Sequence, residues 1–507
     1  MNHNYTGRSK VNKTLYIIYT LIQISFISAG NTITQQEYFD MLIENHPLIK
    51  QENLSSKIEN KNTESFQGGQ EWLFSGSSHI MRQNQMQPGA FSPDRVDISG
   101  LQFQMSRPFW NTGGRLSLSW ATDFTNQHGL TPFSMALPVL DDNLNIIGVN
   151  SFDLQTSSQK FYQSNLRLIY SQPLLQNFKG TLDRLGMESS EISSDIADIQ
   201  AIENQEDFLL INGLKFLDWV LLSEQKNIAS ERKELADLQY EQTVRKRESN
   251  LVDEIDVLRS KDAVLKADQI AMLITAQWKG LQAELAAIAQ NPKILNSEPQ
   301  FNLYSIVPLL TIEQGSKKLK SNSRLISALS KQQEIIGIQK IGSQELVKPQ
   351  LYINSEIFLK NGDDSYNDAL LPKETDYNLS LQLSFPMNNS SAKSRVAQND
   401  LQVYQLELAT QNVLLNLESA LKNLLIQLED FEQILEMNNL QIETARNKTD
   451  EELKRYNLGR GDLTFVIQSQ DSEAQARLSY AQNAATYQAL NLQVTALLDE
   501  LLPQKIN

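Results

Sequence analysis

The chain has no cysteine, which excludes disulfides, thiolate metal sites, thiol nucleophiles and a lipidated N-terminal Cys. It is also short of positive charge: 45 Lys and Arg stand against 60 Asp and Glu, for a formal charge of −15. Phosphate binding needs basic stripes, so the reading is of no nucleic-acid partner. Histidine is scarce, with His3, His46, His79 and His128 scattered and no His/Asp/Glu cluster at metal-ligand spacing. No nucleophile–base pair or phosphate loop occurs either, so the residues call for no enzyme activity, metal or cofactor. Only 14 Pro and 21 Gly occur in 507 residues, which favours helix over loop or disorder.

Long hydrophobic runs are missing as well. The N-terminus carries Arg8, Lys10 and Lys13, then the mostly apolar run Leu15–Ile27 and the small residues Ser28, Ala29 and Gly30. That is the layout of a secretory signal peptide, expected over 1–29, and its loss makes the mature chain more acidic still. The run is too brief to span a bilayer, which needs about 20 residues. Nothing after it reaches that length, so the exported chain meets a membrane as a β-barrel or not at all.

What is present is repetition. "NLRLIYSQPL" from Asn165 and "NLSLQLSFPM" from Asn378 place Pro173 over Pro386, an offset of 213. Within them Leu166, Leu168 and Tyr170 match Leu379, Leu381 and Leu383, each alternating with polar residues. Period two predicts a strand with one apolar face, ended by proline. A second phrase, Glu248–Ser260, lies over Asn457–Ser469 at an offset of 209. Two phrases at nearly equal offsets indicate a tandem duplication, with a first repeat over 30–300 and a second over 301–507.

The first repeat is expected to hold short helices, strands within 71–173, a long helix over 181–247 and a shorter one over 252–290. The second holds helices, strands within 350–386, a long helix over 390–457 and a shorter one over 462–500. Each long run is roughly 67 residues, or ~100 Å of helix. In the second, Leu414, Leu417, Leu421, Leu424, Leu428, Phe431 and Leu435 form a heptad seam. The shorter helices carry apolar faces through Ile270, Ile274, Trp278, Leu281, Leu285 and Ile288, and through Ala474, Leu478, Ala481 and Ala485. Gly459 and Gly461 supply the turn between the second pair.

Strands at 350–360 and 378–385 are expected to form a hairpin, with 71–81 and 165–172 as their first-half counterparts. Two further strand-like runs at 101–126 join around Asn111–Gly114, and 127–160, with Pro132 and Pro138, reads as a long loop. A hairpin with one apolar face needs its edges paired, and a closed barrel pairs them all.

On "IENHPLIKQ", "SQPLL", "SFPM" and "RYNLGRGDLTFVIQSQ", and on their order and duplication, the chain resembles the outer-membrane efflux proteins, the TolC-like channels of Gram-negative bacteria. The resemblance spans nearly the whole mature chain. It implies a mainly α chain with a β-barrel: a homotrimer in outer-membrane lipid, each protomer giving two hairpins to a twelve-stranded barrel, with coiled-coil helices forming a periplasmic tunnel. A periplasmic adaptor (membrane-fusion) protein and an inner-membrane pump are the implied partners. The strand pair at 101–126 departs from that pattern: it either lengthens the barrel wall or forms a surface hairpin, and the strand count stays open between the two.

The resemblance also implies a gate. The family's tyrosine falls on Tyr456 and its aspartate partner on Asp256, a phenol donating to a carboxylate; the alternative is that Tyr456 covers its own helix end while Asp256 faces water. Two acidic ring positions fall on Phe465 and Gln468, which puts an apolar ring at Phe465, with Asp462 one turn earlier to restore negative charge. The gate arginine falls on Gly461, next to Arg460. The hairpin tips at Asn250, Leu251, Leu458, Gly459 and Arg460 correspond to the adaptor-docking region; alternatively Leu251 and Leu458 cap hairpin cores. The function expected is a passive exit duct for efflux or type I secretion. The rival is an exported coiled-coil fibre without a pore, which has no use for strands with an apolar face.

Overall fold

Thr34 opens the first helix with a capping box, its hydroxyl accepting from Glu37 N while the Glu37 carboxylate accepts from Thr34 N. The computed structural model describes residues 32–84, 86, 93–129, 133–154 and 159–502. The expected signal peptide and Pro132 lie outside the described residues. In chain order the elements are β1 (Thr32–Thr34), α1 (Gln35–Asn45), α2 (Pro47–Gln67), β2 (Leu73–Asn84), β3 (Arg95–Phe109), β4 (Gly114–His128), β5 (Phe133–Leu140), β6 (Ile146–Leu154) and β7 (Gln159–Pro173). Then come α3 (Thr181–Glu248), α4 (Glu254–Ile288), β8 (Glu298–Gln300), α5 (Ile312–Asn322), α6 (Arg324–Val347), β9 (Gln350–Asp363), α7 (Tyr366–Ala369), β10 (Glu374–Ser384), α8 (Ser390–Asn457) and α9 (Leu463–Leu497). The two long helices have 68 residues each and the two that follow them 35 each. No described helix is long and apolar enough to cross a membrane.

The chain divides into two compact units. One takes residues up to Lys57, Ala197–Leu329 and from Leu408 onward. Its core gathers Tyr38, Phe216, Trp219, Leu285 and Tyr487, all fully buried. The heptad seam of α8 contributes Leu421, Leu428 and Leu435, buried at every seventh position, as a coiled-coil face requires. Most of the apolar face read for α4 is buried or half-buried, but Ile270 is exposed.

The other unit, Ile58–Ile196 with Ser330–Glu407, holds a six-stranded antiparallel sheet in the order β10-β9-β7-β4-β3-β2. Two expectations are corrected here. The strand at 71–81 does not pair with 165–172; β2 pairs with β3, while β7 lies between β4 and β9. The runs at 101–126, for which the sequence left open a longer wall or a surface hairpin, belong to this sheet, so one chain supplies six strands to it. The stretch 127–160 is not simply a loop either, since β5 and β6 form a separate hairpin in which Pro138 sits opposite Val149. A two-stranded sheet has only edges, and an edge tolerates a residue with no N–H to give.

The register fixes the faces of the large sheet. Leu381 opposes Ile353, Leu168 opposes both Ile357 and Leu118, and Trp120 opposes Phe103, which faces Gly76 beside Phe74. One face is therefore apolar from β10 across to β2. The reverse face carries Arg167 paired with Glu356 at 2.9 Å, Ser171 bonded to Asn354 at 2.7 Å and Gln104 bonded to Ser117 at 3.1 Å. In the β9–β10 connection, the Ala369 carbonyl accepts from the Ser164 hydroxyl, and Tyr366 meets Tyr162 edge-on.

The passage from β7 into α3 is tight. Asn177 and Gly180 both take positive φ, and the Asn177 side chain caps α3 by accepting from Leu182 N at 2.8 Å. A Cβ on Gly180 would come within 1.7 Å of the Trp110 carbonyl oxygen, so only glycine fits.

Candidate functional site

The two helix-to-helix turns, α3 to α4 and α8 to α9, close in the same way. Leu251 N donates to Lys246 O and Asn250 N to Arg247 O; Arg460 N donates to Arg455 O and Gly459 N to Tyr456 O. Each is a Schellman pair around one left-handed residue, Asn250 at φ 55° and Gly459 at φ 70°. Asn and Gly are the residues that adopt this conformation at least cost. Asp462 then starts α9 as its N-cap, accepting from Thr464 N at 2.7 Å.

These turns border a cleft of about 970 Å3. Asn250, Leu251, Asp256, Tyr456, Leu458, Gly459, Arg460, Asp462 and Phe465 all line it. Gln468 does not; it borders a second cleft of about 380 Å3 together with Arg232 and Asp471. Phe465 is exposed, and so is Gln468, one turn along α9. Leu251 and Leu458 are 73% and 70% exposed, so they do not cap hairpin cores.

Tyr456 is 7% exposed and packs with Leu463 and Val466, the small core that closes the second turn. Its hydroxyl makes no hydrogen bond of ordinary length, so the expected bond to Asp256 is not made in this structure, and only the Thr243 hydroxyl approaches it, from a longer distance. Burial pushes the phenol's pKa up, the Asp256 and Asp462 charges add to that, and the nearby Thr243 hydroxyl opposes it. Asp256 instead faces Arg259, whose Nη1 stands 3.3 Å from it and 3.6 Å from Asp462. Arg259 thus joins the start of α4 to the cap of α9. The hydrogen bond to Thr464 is the main cause holding the Asp462 carboxyl below its ordinary pKa, with Arg259 adding to it.

Lys246, at the end of α3, reaches across the same cleft. Its Nζ lies 3.9 Å from the centre of the Tyr456 ring and 3.2 Å from Asn457 Oδ1. A cation over a partly desolvated ring is worth about 0.5–2 kcal/mol. The sequence marked neither Lys246 nor Arg259. Their only signal was position: both lie in or beside the repeated phrase, among other charges that face solvent.

One acidic group among the described residues has metal-like spacing, Glu203, Glu206 and Asp499. The buried Arg324 guanidinium lies among all three, and Arg324 N donates to Asp499 at 2.7 Å, so the cluster already holds its cation.

No protein-family model matches the chain, and no curated protein matches it by sequence. Solved structures do. The outer membrane channel CmeC of Campylobacter jejuni superposes with a TM-score of 0.62 at 11% identity, covering 93% of this chain and 87% of its own. The outer membrane protein VceC of Vibrio cholerae gives 0.62 at 10% identity, covering 92% and 95%. The open MtrE outer membrane channel of Neisseria gonorrhoeae gives 0.58 at 11%, covering 92% and 89%. Over nine-tenths of its length, the chain has the fold of these outer-membrane channels.

Proposed function

We propose that the chain forms a passive exit duct through the outer membrane of a Gram-negative bacterium. Three copies close a barrel in outer-membrane lipid and continue as a helical tunnel in the periplasm. An inner-membrane pump and a periplasmic adaptor deliver the cargo, in efflux or type I secretion. The observation that carries this reading is the sheet whose one face is apolar from edge to edge. In lipid such a sheet is stable only when closed, because unpaired backbone groups cost several kcal/mol each. The fold shared with solved outer-membrane channels supports the same reading, and a pore-free fibre leaves the apolar face unexplained.

At the turns, the exposed Leu251 and Leu458 beside Asn250, Gly459 and Arg460 suit docking of the adaptor's helices. Lys246 over Tyr456, and Arg259 between Asp256 and Asp462, tie the first repeat to the second and favour the closed state. The Arg259 contacts are solvent-exposed and worth about 0–1 kcal/mol each, so closure rests on several weak ties that act together. The matching turns also support the tandem repeat divided near residue 300. The test is purification from outer membranes, with mass determination in detergent and single-channel recording in planar bilayers. Three copies that conduct support the duct; a monomer that does not conduct defeats it.

A further inference from the structure

We propose that copies join through the two free edges of the six-stranded sheet, β2 of one pairing with β10 of the next. Three copies of six strands then make one wall of eighteen, not twelve. This rests on the trimeric duct proposed above, but the seam it specifies is read from the sheet.

Internal repetition assigns β10 a different partner. The strand matching it in the first repeat, β7, pairs on its second side with β9, whose own counterpart is β4. By repetition, β10 meets β4 of the next copy. That edge is occupied: β3 runs along β4 from Arg95 opposite His128 to Phe109 opposite Gly114. The edge left on that side is β2, paired only with β3.

The two edges fit each other. β2 has 12 residues and β10 has 11, and every residue of both is exposed. Each strand of the sheet is antiparallel to its neighbours, so with six strands β2 and β10 run in opposite directions. Their joint is therefore antiparallel, and any number of copies closes without a parallel seam. One copy cannot close alone, since six strands fall below the roughly eight that the smallest membrane barrels use. The faces agree too. Phe74 lies on the same face as Leu381, and Ser75 and Ser77 lie on the same face as Ser380 and Gln382. A wall of about 16–18 strands encloses an aqueous channel, so the strands do not form the narrow point of the duct.

The cysteine-free chain makes the test clean, because no native thiol competes with the introduced pair. Ser75→Cys or Ser77→Cys on β2 is combined with Ser380→Cys or Gln382→Cys on β10, in the full-length protein in outer membranes. Ala121→Cys on β4 with Ser380→Cys is the comparison pair. Oxidation and, separately, a bismaleimide long enough to tolerate a register shift are followed by denaturing electrophoresis, alongside the native mass in detergent. The expected result is a shift from monomer to covalent trimer with β2–β10 pairs and none with the β4–β10 pair; the disulfide form reverts with reductant. A native trimer in which only the β4–β10 pair crosslinks overturns the proposal in favour of twelve strands. A native trimer in which no pair crosslinks overturns it as well. β2–β10 crosslinking in an assembly of some other mass supports the seam and overturns the trimeric reading instead.

Discussion

Gly180 sits where β7 has ended and α3 begins, with positive φ and the Trp110 carbonyl lying where a side chain would go. Gly180→Ala is expected to cost more than the about 1–2 kcal/mol of the left-handed backbone alone, since the obstacle is main chain and cannot rotate away. Thermal unfolding of the purified assembly checks this, with a lowered melting temperature as the expected outcome. At the turns, the two groups of Tyr456 call for opposite expectations. Its hydroxyl is buried with no hydrogen bond of ordinary length, only the more distant Thr243 hydroxyl facing it, so Tyr456→Phe should leave closure and stability close to wild type. Its ring carries the Lys246 charge, so Lys246→Met should lengthen channel openings in planar bilayers, by up to about 1–2 kcal/mol per copy. The turn residues were legible in the sequence because Asn250 and Gly459 act locally. Lys246 and Arg259 were not, because what gives them a role is a partner on the other repeat, more than 200 residues away in sequence for each.

Among the elements, the long helices were legible almost to the residue, and the α8 seam could be read because burial repeats with the heptad. The strands inside 127–160 were not, because β5 and β6 alternate only over the short runs Phe133–Met135 and Ser151–Leu154, and Pro138 argues against a ladder. Pairing was the other element-level failure. Alternation tells which way side chains point but not which strand lies alongside, and the 101–126 pair inserts between β2 and β7. α9 carries a prediction of its own through its cap. Asp462 has its pKa lowered in the folded chain, so its cap and its tie to Arg259 are fully present above its ordinary value of 3.8. The charge on the cap and the tie to Arg259 are lost as the pH falls through the lowered value, while a neutral oxygen can still accept from Thr464 N. Conductance should therefore be flat from neutral pH down to about 5 as far as this group is concerned. Asp462→Asn should reproduce at neutral pH the change wild type shows only in stronger acid, which recordings across that range will check.

For the whole molecule, the apolar face sets the terms. Leu168 and Leu381 both point from it, one on a strand paired on both sides and one on an edge. Leu168→Arg and Leu381→Arg should each cost about 2–4 kcal/mol per chain near mid-membrane and reduce the assembly recovered from outer membranes. Wild-type recovery of both would mean that this face does not meet lipid. The sheet also sorts its connections. The β3–β4 turn at Asn111 and Thr112 and the passage from β7 to α3 lie at one end of the strands, while the β5–β6 hairpin leaves from the other. In a living cell that difference decides what the surroundings can touch. In the duct proposed above, the hairpin, with Asp141 accepting from Asn143 N and Asn145 N to hold its bend, would face the medium and meet antibodies and proteases there. A short epitope inserted at Asp142 should stain unbroken cells, and the same epitope at Thr112 should stain them only after the outer membrane has been breached.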